Sequence, residues 1–272
     1  MMKIDKIKTG DIATKSKLPA SDFVINPYVG CPHACKYCYA RFMRRFANHS
    51  EPWGEFLDVK ISDRPLNLKK LTGKSIFLSS VTDCYNKYEK EFGITRGILE
   101  QMTDLNAGIT ISTKSDLILR DMDILKRLKN LTVAFSINTL DEDFRKDMDK
   151  ASPIKDRLAA LGALYDNGIR TVLFMSPIFP HITDFAEIIE ATRDYVRRYW
   201  FENLNLRGGY KGVILDYIKT KRPDLYGEYL DIFCGGKGDD YWNDLEKSIA
   251  GYCAENGVAF DMFFHHDRIR KK

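Results

Sequence analysis

Residues 23–39 read Phe23-Val-Ile-Asn26-Pro-Tyr-Val-Gly30-Cys31-Pro-His33-Ala-Cys35-Lys-Tyr37-Cys38-Tyr39. The run Phe23–Val29 is β-branched and aromatic, which predicts a strand. It runs straight into a glycine and three cysteines spaced four and three residues apart. That spacing lets three thiolates converge from one loop on one metal centre. A cubane iron–sulfur cluster presents four irons, each wanting a thiolate. Three cysteines leave one iron without a protein ligand, and an open position of that kind can accept an amine and a carboxylate. Structural zinc is the alternative. It needs four ligands, commonly from two close pairs. Cys35 and Cys38 make one pair and Cys31 or His33 extends it, but Cys234 and Cys253 lie 19 residues apart and form no second pair. His33 otherwise reads as loop packing.

The rest of the composition agrees with a metal site. At 272 residues and 44% hydrophobic content, the chain can bury one full core. Six cysteines in a chain of this size are not needed as disulfides, so the cluster of three reads as ligands. No run of about 18 apolar residues predicts a membrane span. The basic start MMKIDKIKTGDIATKSK lacks a secretory apolar stretch, so a cytoplasmic location is expected and no membrane partner. Forty-two basic against 38 acidic residues, net +4, neither demands nor excludes nucleic acid. Arg41/Arg44/Arg45 and Arg268/Arg270/Lys271/Lys272 are the clusters that can touch phosphate, with solvated charge as the plainer reading.

Beyond the cysteines, short apolar runs alternate with longer helical patterns. Strands are predicted over Phe23–Val29, Ser75–Ser79, Gly108–Thr113, Leu131–Ile137, Arg170–Met175, Phe201–Leu206 and Val258–Phe264. Between them, Ile94/Ile98/Met102/Leu105, Ile154/Leu158/Leu161/Tyr165, Phe185/Ile188/Ile189/Thr192 and Trp242/Leu245/Ile249/Tyr252 form helical stripes. Ser152 and Pro153 read as N-cap and first residue of a helix that Asn167-Gly168 stops, and Asp184 with Glu187 opens the next. Strand-then-helix units with long crossovers imply an α/β fold with a parallel sheet, whose ligands gather at the C-terminal strand ends. Those ends carry Gly30 and Cys31; Ser79, Ser80, Thr82 and Asp83; Thr113 and Lys114; Ser136 and Asn138; Ser176 and Pro177; Asn205 and Arg207.

Cys-x3-Cys-x2-Cys with Tyr37 before the last cysteine resembles the motif of the radical S-adenosylmethionine (SAM) superfamily. The elements NPYVGCPHACKYCYAR, SSVTDCYNKYEKEFGITR, ISTKSDLILRD, VAFSINTLDEDFRK, SPIKDRLAALGALYDNGI and SPIFPHITD follow in order over residues 26–184. They look like the spore photoproduct lyase-like branch, and the chain is similar to the group called radical SAM mobile pair protein B. The resemblance implies a partial (β/α)6 TIM-like barrel over residues 23–210, with an N-terminal extension (1–22) and a C-terminal helical extension (211–272) holding the last strand candidate. It implies a [4Fe–4S] cluster on Cys31, Cys35 and Cys38, with SAM chelated at the open iron. One-electron reduction then yields a 5′-deoxyadenosyl radical that abstracts hydrogen from a substrate. It further implies Tyr37 and Tyr39 near the adenine, Thr82 and Asp83 on the amino group, Lys114 on the carboxylate, and Ser136 and Asn138 on the ribose. The expected partners are an electron donor such as flavodoxin or ferredoxin and, as the mobile pair likeness implies, a second radical SAM protein.

Cys84 stands beside Asp83 and is expected at the same mouth, where a thiol can give a hydrogen atom to a product radical; a small buried hydrophobe is the other reading. Photoproduct lyases carry a donor cysteine three residues before the Asp, where Ser80 stands here, which argues against photoproduct repair. Cys253 reads as core, while Cys234 has no assigned role. His265-His266 can exchange protons if they face the cavity. Arg157 and Arg207 are candidate anion contacts. Two other functions stay open: an iron–sulfur or zinc protein that binds nucleic acid without catalysis, and a subunit active only with a second radical protein. No motif names the substrate.

Overall fold

The computed structural model describes residues 2–264. Its strands are β1 (Lys3–Lys8), β2 (Ala13–Lys15), β3 (Phe23–Ile25), β4 (Tyr28–Val29), β5 (Phe56–Ile61), β6 (Ser75–Leu78), β7 (Gly108–Thr113), β8 (Leu131–Ser136), β9 (Arg170–Ile178), β10 (Arg198–Asn203) and β11 (Phe260–Met262). They form a large sheet in the order β11-β10-β9-β8-β7-β6-β3-β2 and a small one in the order β1-β5-β4. From β3 to β11 every neighbouring pair in the large sheet is parallel; only β2, on the edge, runs antiparallel.

Helices make the crossovers that parallel strands require. Helix α1 (Leu68–Leu71) precedes β6, α2 (Glu89–Phe92) and α3 (Ile94–Gln101) lead to β7, and α4 (Met122–Leu125) to β8. Next, α5 (Glu142–Met148) and α6 (Ile154–Asp166) lead to β9, and α7 (Phe185–Thr192) to β10. Finally α8 (Gly209–Lys221), α9 (Tyr226–Phe233) and α10 (Gly238–Glu255) lead to β11. Among the described residues the sheet ends at β2 and β11 without closing, so the architecture is the expected partial barrel.

Strand alternation divides the two faces of this sheet. On β10, Tyr199 and Phe201 are buried outward, and the Tyr199 hydroxyl meets Thr192 Oγ1 of α7 at 2.9 Å. Trp200 and Glu202 point to the opposite, inner face. There Trp200 packs edge-on to Phe174 of β9 at 5.6 Å. Helix α7 buries Ile188 and Ile189 completely, a contribution of about 1.5–3 kcal/mol for each side chain. Asp184 caps it, accepting from Glu187 N at 2.9 Å. Gly168 closes α6 at φ +77°, where glycine has no Cβ penalty.

Three expectations need correction. The single strand Phe23–Val29 is two strands in different sheets, β3 in the large one and β4 in the small one. Pro27 has no N–H to continue a ladder. Asn26 turns its amide to Ser80 Oγ (2.9 Å) and accepts from Val81 N (3.1 Å), so the chain leaves the large sheet there. The sixth strand starts at Arg198, not Phe201. Ser152 does not cap α6: its Oγ donates to Asp116 Oδ1 (2.5 Å), and Glu142 Oε2 accepts from Ile154 N (2.9 Å) instead. The other two strands of the small sheet, β1 and β5, had no counterpart in the predicted strands. Tyr28, Leu57 and Val59 form its buried face, with Ile4 packed against them.

Candidate active site

The cysteine loop hangs between β4 and a 3₁₀ segment over Tyr39–Phe46. Gly30 opens it at φ +88°, and a Cβ there would lie 2.3 Å from Phe56 O, so the position admits only glycine. Ala34 also sits in the left-handed region, at φ +49°. Turn bonds from Ala34 N to Cys31 O (3.1 Å) and from Cys38 N to Cys35 O (3.2 Å) curl the loop. Neighbouring elements then fasten it. Lys36 N donates to Met148 O (2.9 Å), Lys150 N to His33 O (2.7 Å), and Thr82 Oγ1 to Gly30 O (2.6 Å). Cys31 and Cys35 are buried, Cys38 is half-buried, and all three are free thiols.

Burial pushes all three thiols up, and Cys31 and Cys35 are raised further by the negative groups around them. Without a cation the loop therefore favours neutral thiols; a bound metal reverses that preference. The buried Trp53 Nε1 makes no well-aligned hydrogen bond, yet it opposes the upward shift of Cys38 as a donor to that sulfur would.

Asp83 is the hub of the next layer. Its Oδ1 accepts from Tyr85 N (2.9 Å) and Thr113 Oγ1 (2.9 Å), and its Oδ2 from Lys114 N (2.8 Å), with His33 Nε2 at 3.1 Å. Burial opposes its charge, but His33 and the backbone donors win and hold the carboxyl below the usual range. Lys114 follows β7 and sends Nζ to Ser136 Oγ (2.5 Å), at the end of β8. Ser136 Oγ lies 3.3 Å from Ser176 O, and Ser176 Oγ bonds Glu202 on β10. A continuous polar line thus crosses β7, β8, β9 and β10 at the C-terminal rim. Burial pushes the Lys114 ammonium below the ordinary lysine range. Its Nζ also lies 5.6 Å from the centre of the Tyr37 ring.

Behind the loop, Tyr37 is buried edge-on to Phe179 and donates to Asp149 Oδ2 (3.3 Å). Arg157, only 1% exposed, gives NH2 to Asp149 Oδ1 (2.7 Å), NH1 to Ser136 O (3.3 Å) and Nε to Ser152 O (2.7 Å). The expectation that Arg157 contacts an anion of the ligand is therefore corrected: its guanidinium is consumed inside the protein.

Direct contacts thus link Asp83 to the Lys114 backbone, Lys114 to Ser136 and to the Tyr37 ring, and Thr82 to Gly30 at the start of the cysteine loop. Asn138 lies one step beyond, donating to Pro177 O (2.9 Å). Tyr39 is largely exposed, with its hydroxyl on Ser80 O. Cys84 is 0% exposed and belongs to the main core. Its N–H donates to Ser79 Oγ (2.8 Å) and its carbonyl accepts from Thr95 Oγ1 (2.6 Å). Burial, aided by Asp83, raises its thiol. Cys253 is core as expected, and Cys234 is exposed. Arg207 is exposed and donates to Asn205 Oδ1 (2.8 Å). His265, His266 and the last basic cluster lie outside the described residues. Asp149 and Glu202 were missed in the sequence because neither stands in a motif. Glu202 was legible only through its alternation with Arg198 and Trp200.

A half-open parallel barrel with a three-cysteine loop after its first strand defines a class, and the sequence comparison agrees. The profile of the Radical SAM superfamily matches residues 25–195. An uncharacterized protein of Methanocaldococcus jannaschii is 39% identical over 226 residues, covering 83% of this chain and 86% of its own. The chain belongs to the Radical SAM superfamily and is a radical SAM enzyme. Among solved structures, a spore photoproduct lyase mutant with bound AdoMet and dinucleoside spore photoproduct superposes with TM-score 0.58 at 15% identity, over 82% of this chain and 77% of that one. SuiB of Streptococcus suis bound to S-adenosylmethionine gives 0.54 at 17%, over 88% and 49%. These likenesses concern the fold.

Membership implies a [4Fe–4S] cluster and SAM, and the residues present fit them. Three free thiols come from one loop, and Trp53 adds a buried N–H at Cys38. Among the described residues the three sulfurs are not gathered within 4.8 Å of one another. A tetrahedral zinc would draw its thiolates to about 3.8 Å separation. A cubane takes each thiolate at a separate iron and spans a wider triangle.

Proposed function

We propose that Cys31, Cys35 and Cys38 hold a [4Fe–4S] cluster and that SAM occupies the mouth between the cysteine loop and the strand-end line from Lys114 to Glu202. When bound, this pair supplies reductive cleavage of the SAM sulfonium and a 5′-deoxyadenosyl radical for hydrogen abstraction from a substrate. The observation that carries the reading is the fastening of a three-thiol loop to the segment after β6 and to the α5–α6 turn, with Lys114 at the end of β7 beside it.

In this reading Lys114 pairs with the SAM carboxylate, exchanging its Ser136 contact for a charge-assisted bond. Ser136 and Asn138 face the ribose, and Tyr37 and Tyr39 frame the adenine side. Asp83 accepts from three donors and has His33 Nε2 at 3.1 Å, so it orients His33 and the Lys114 backbone while Thr82 ties the two loops. Cys84 packs the core in this reading. The protein works in the cytoplasm, where thiols stay reduced.

Anaerobic reconstitution with iron and sulfide, followed by dithionite and SAM, tests the proposal. The wild type should release 5′-deoxyadenosine, and a Cys31→Ala/Cys35→Ala/Cys38→Ala variant should release none. Equal yields from both would overturn it.

A further inference from the structure

A second group of ligand-type side chains lies where β1, β5 and the chain after the 3₁₀ segment meet. Asp5 of β1 and Asp58 of β5 are partners in the parallel register, so their side chains stand next to each other. His49 closes the group. Its Nε2 lies 2.7 Å from Asp58 Oδ1 and 4.0 Å from Asp5 Oδ2, and its Nδ1 lies 3.4 Å from Glu51 Oε2. The side chains of His49 and Asp58 are only 3% and 6% exposed, whereas Asp5 reaches the surface at 44%. One ligand atom each from Asp5, His49 and Asp58 falls within 4.8 Å of the others.

Hydrogen bonding answers only part of this arrangement. Nε2 carries at most one proton, and Asp58 claims it at 2.7 Å. Asp5 then faces the same nitrogen beyond hydrogen-bond reach. Lys3 meets Asp5 Oδ1 at 3.6 Å, but that pair is half exposed and weak. A cation can serve all three groups at once. Metal bonds of about 2.0–2.2 Å to nitrogen and oxygen set neighbouring ligand atoms roughly 3–3.5 Å apart. The observed 2.7 and 4.0 Å straddle that range, so one ion fits with small side-chain shifts. Glu51 on Nδ1 is the outer carboxylate that orients a metal-bound imidazole. The ring is also held in place: it stacks on Phe56 at 4.2 Å, and Arg44 pins the loop through the carbonyls of Ser50 (2.6 Å) and Glu51 (2.9 Å).

We propose that Asp5, His49 and Asp58 bind one divalent transition ion of the zinc class, separate from the cysteine centre, with water completing the shell on the half-exposed Asp5 side. One imidazole and two carboxylates are a nitrogen and oxygen set that suits zinc. The ion ties β1 to β5 and to the loop before it. That loop and β5 carry Trp53 and Phe56, which pack with Cys31 and Cys38. The proposal stands independently of the cluster reading.

The test dialyses the full, cluster-loaded chain anaerobically against zinc chloride and counts zinc and iron per chain. Wild type should take up one zinc with its iron retained, and zinc should raise its thermal midpoint. Asp58→Asn and His49→Gln should each weaken zinc binding at least tenfold, and Glu51→Gln, which acts through the ring, about tenfold. Asp5→Asn guards against misfolding, because Asp5 is half exposed. It should lose about tenfold in zinc affinity while its metal-free midpoint holds or rises, since two neighbouring carboxylates no longer repel. X-ray absorption at the zinc edge should show nitrogen and oxygen at about 2.0–2.2 Å. No zinc uptake by wild type would overturn the proposal and leave His49 as a ring clamped between carboxylates. Equal uptake by all four variants, or a zinc shell of sulfur alone, would overturn it as well by placing the ion elsewhere.

Discussion

Arg157 and Asp149 form the least expected pair of the site, two opposite charges each almost wholly withdrawn from water. Removing one partner strands the other. Arg157→Met should therefore cost about 3–5 kcal/mol in urea unfolding, and Asp149→Asn added to it should restore part of that loss. If the single variant unfolds like wild type, the pair is not coupled. Burial works against the Asp149 charge, but Arg157 first and Lys114 next hold its carboxyl below the usual range. A folded pKa below the unfolded value of about 3.9 makes its contribution complete above that pH and lost as pH falls through the folded value. Asp149→Asn should lower stability at neutral pH and flatten the acid limb; parallel acid curves would contradict this. Lys114 has the opposite sign. Its depressed ammonium pKa is a cost, full below the folded pKa and gone above the unfolded value of about 10.4. Lys114→Met should keep or raise the thermal midpoint while weakening SAM binding about tenfold, measured by dialysis with labelled SAM. A lowered midpoint with unchanged SAM affinity would show a purely structural lysine.

At the scale of the element, the cysteine loop depends on one backbone position. Gly30→Ala asks for φ +88° with a Cβ pressed on Phe56 O, strain of about 1–3 kcal/mol or more. The expected result is a barrel that still folds, by circular dichroism, but retains little iron and sulfide per chain. Full loading would show that the loop can rearrange. The same scale shows what was readable in advance. Strands β7 and β8 are hydrophobic runs bounded by polar ends, and both were located closely. Helix α7 announced its own cap at Asp184. The start of α6 was misread because the donor that mattered, Ile154 N, is satisfied by Glu142 from another helix. No local signal distinguishes a serine that caps its own helix from one that turns to Asp116.

For the whole molecule, the small sheet is the buttress of the site. Phe56 of β5 meets Gly30, and its ring stacks with His49 at 4.2 Å. His49 Nε2 lies 2.7 Å from Asp58 on the same strand. Strand β1 covers the other edge of β5, pairing Lys3–Lys8 with Phe56–Ile61. Removing residues 2–8 would bare that edge and the Ile4 contact with Leu57 and Val59. Such a truncation should aggregate more readily and load less iron than the full chain. Normal loading and solubility would show the buttress to be dispensable.

By itself the sequence determined the cysteine triad, a parallel sheet with helical crossovers and most of the polar residues at the strand ends. These follow from spacing and periodicity, which act over a few residues. Only the tertiary structure decided that Asp83 is claimed by Tyr85, Thr113 and Lys114, that Arg157 turns inward to Asp149, that Cys84 is sealed in the core and that Phe23–Val29 divides between two sheets. Each of those outcomes depends on partners 30 or more residues away in at least one contact, or on burial created by the packed whole. A charge or thiol carries no mark in the sequence of which neighbour will claim it.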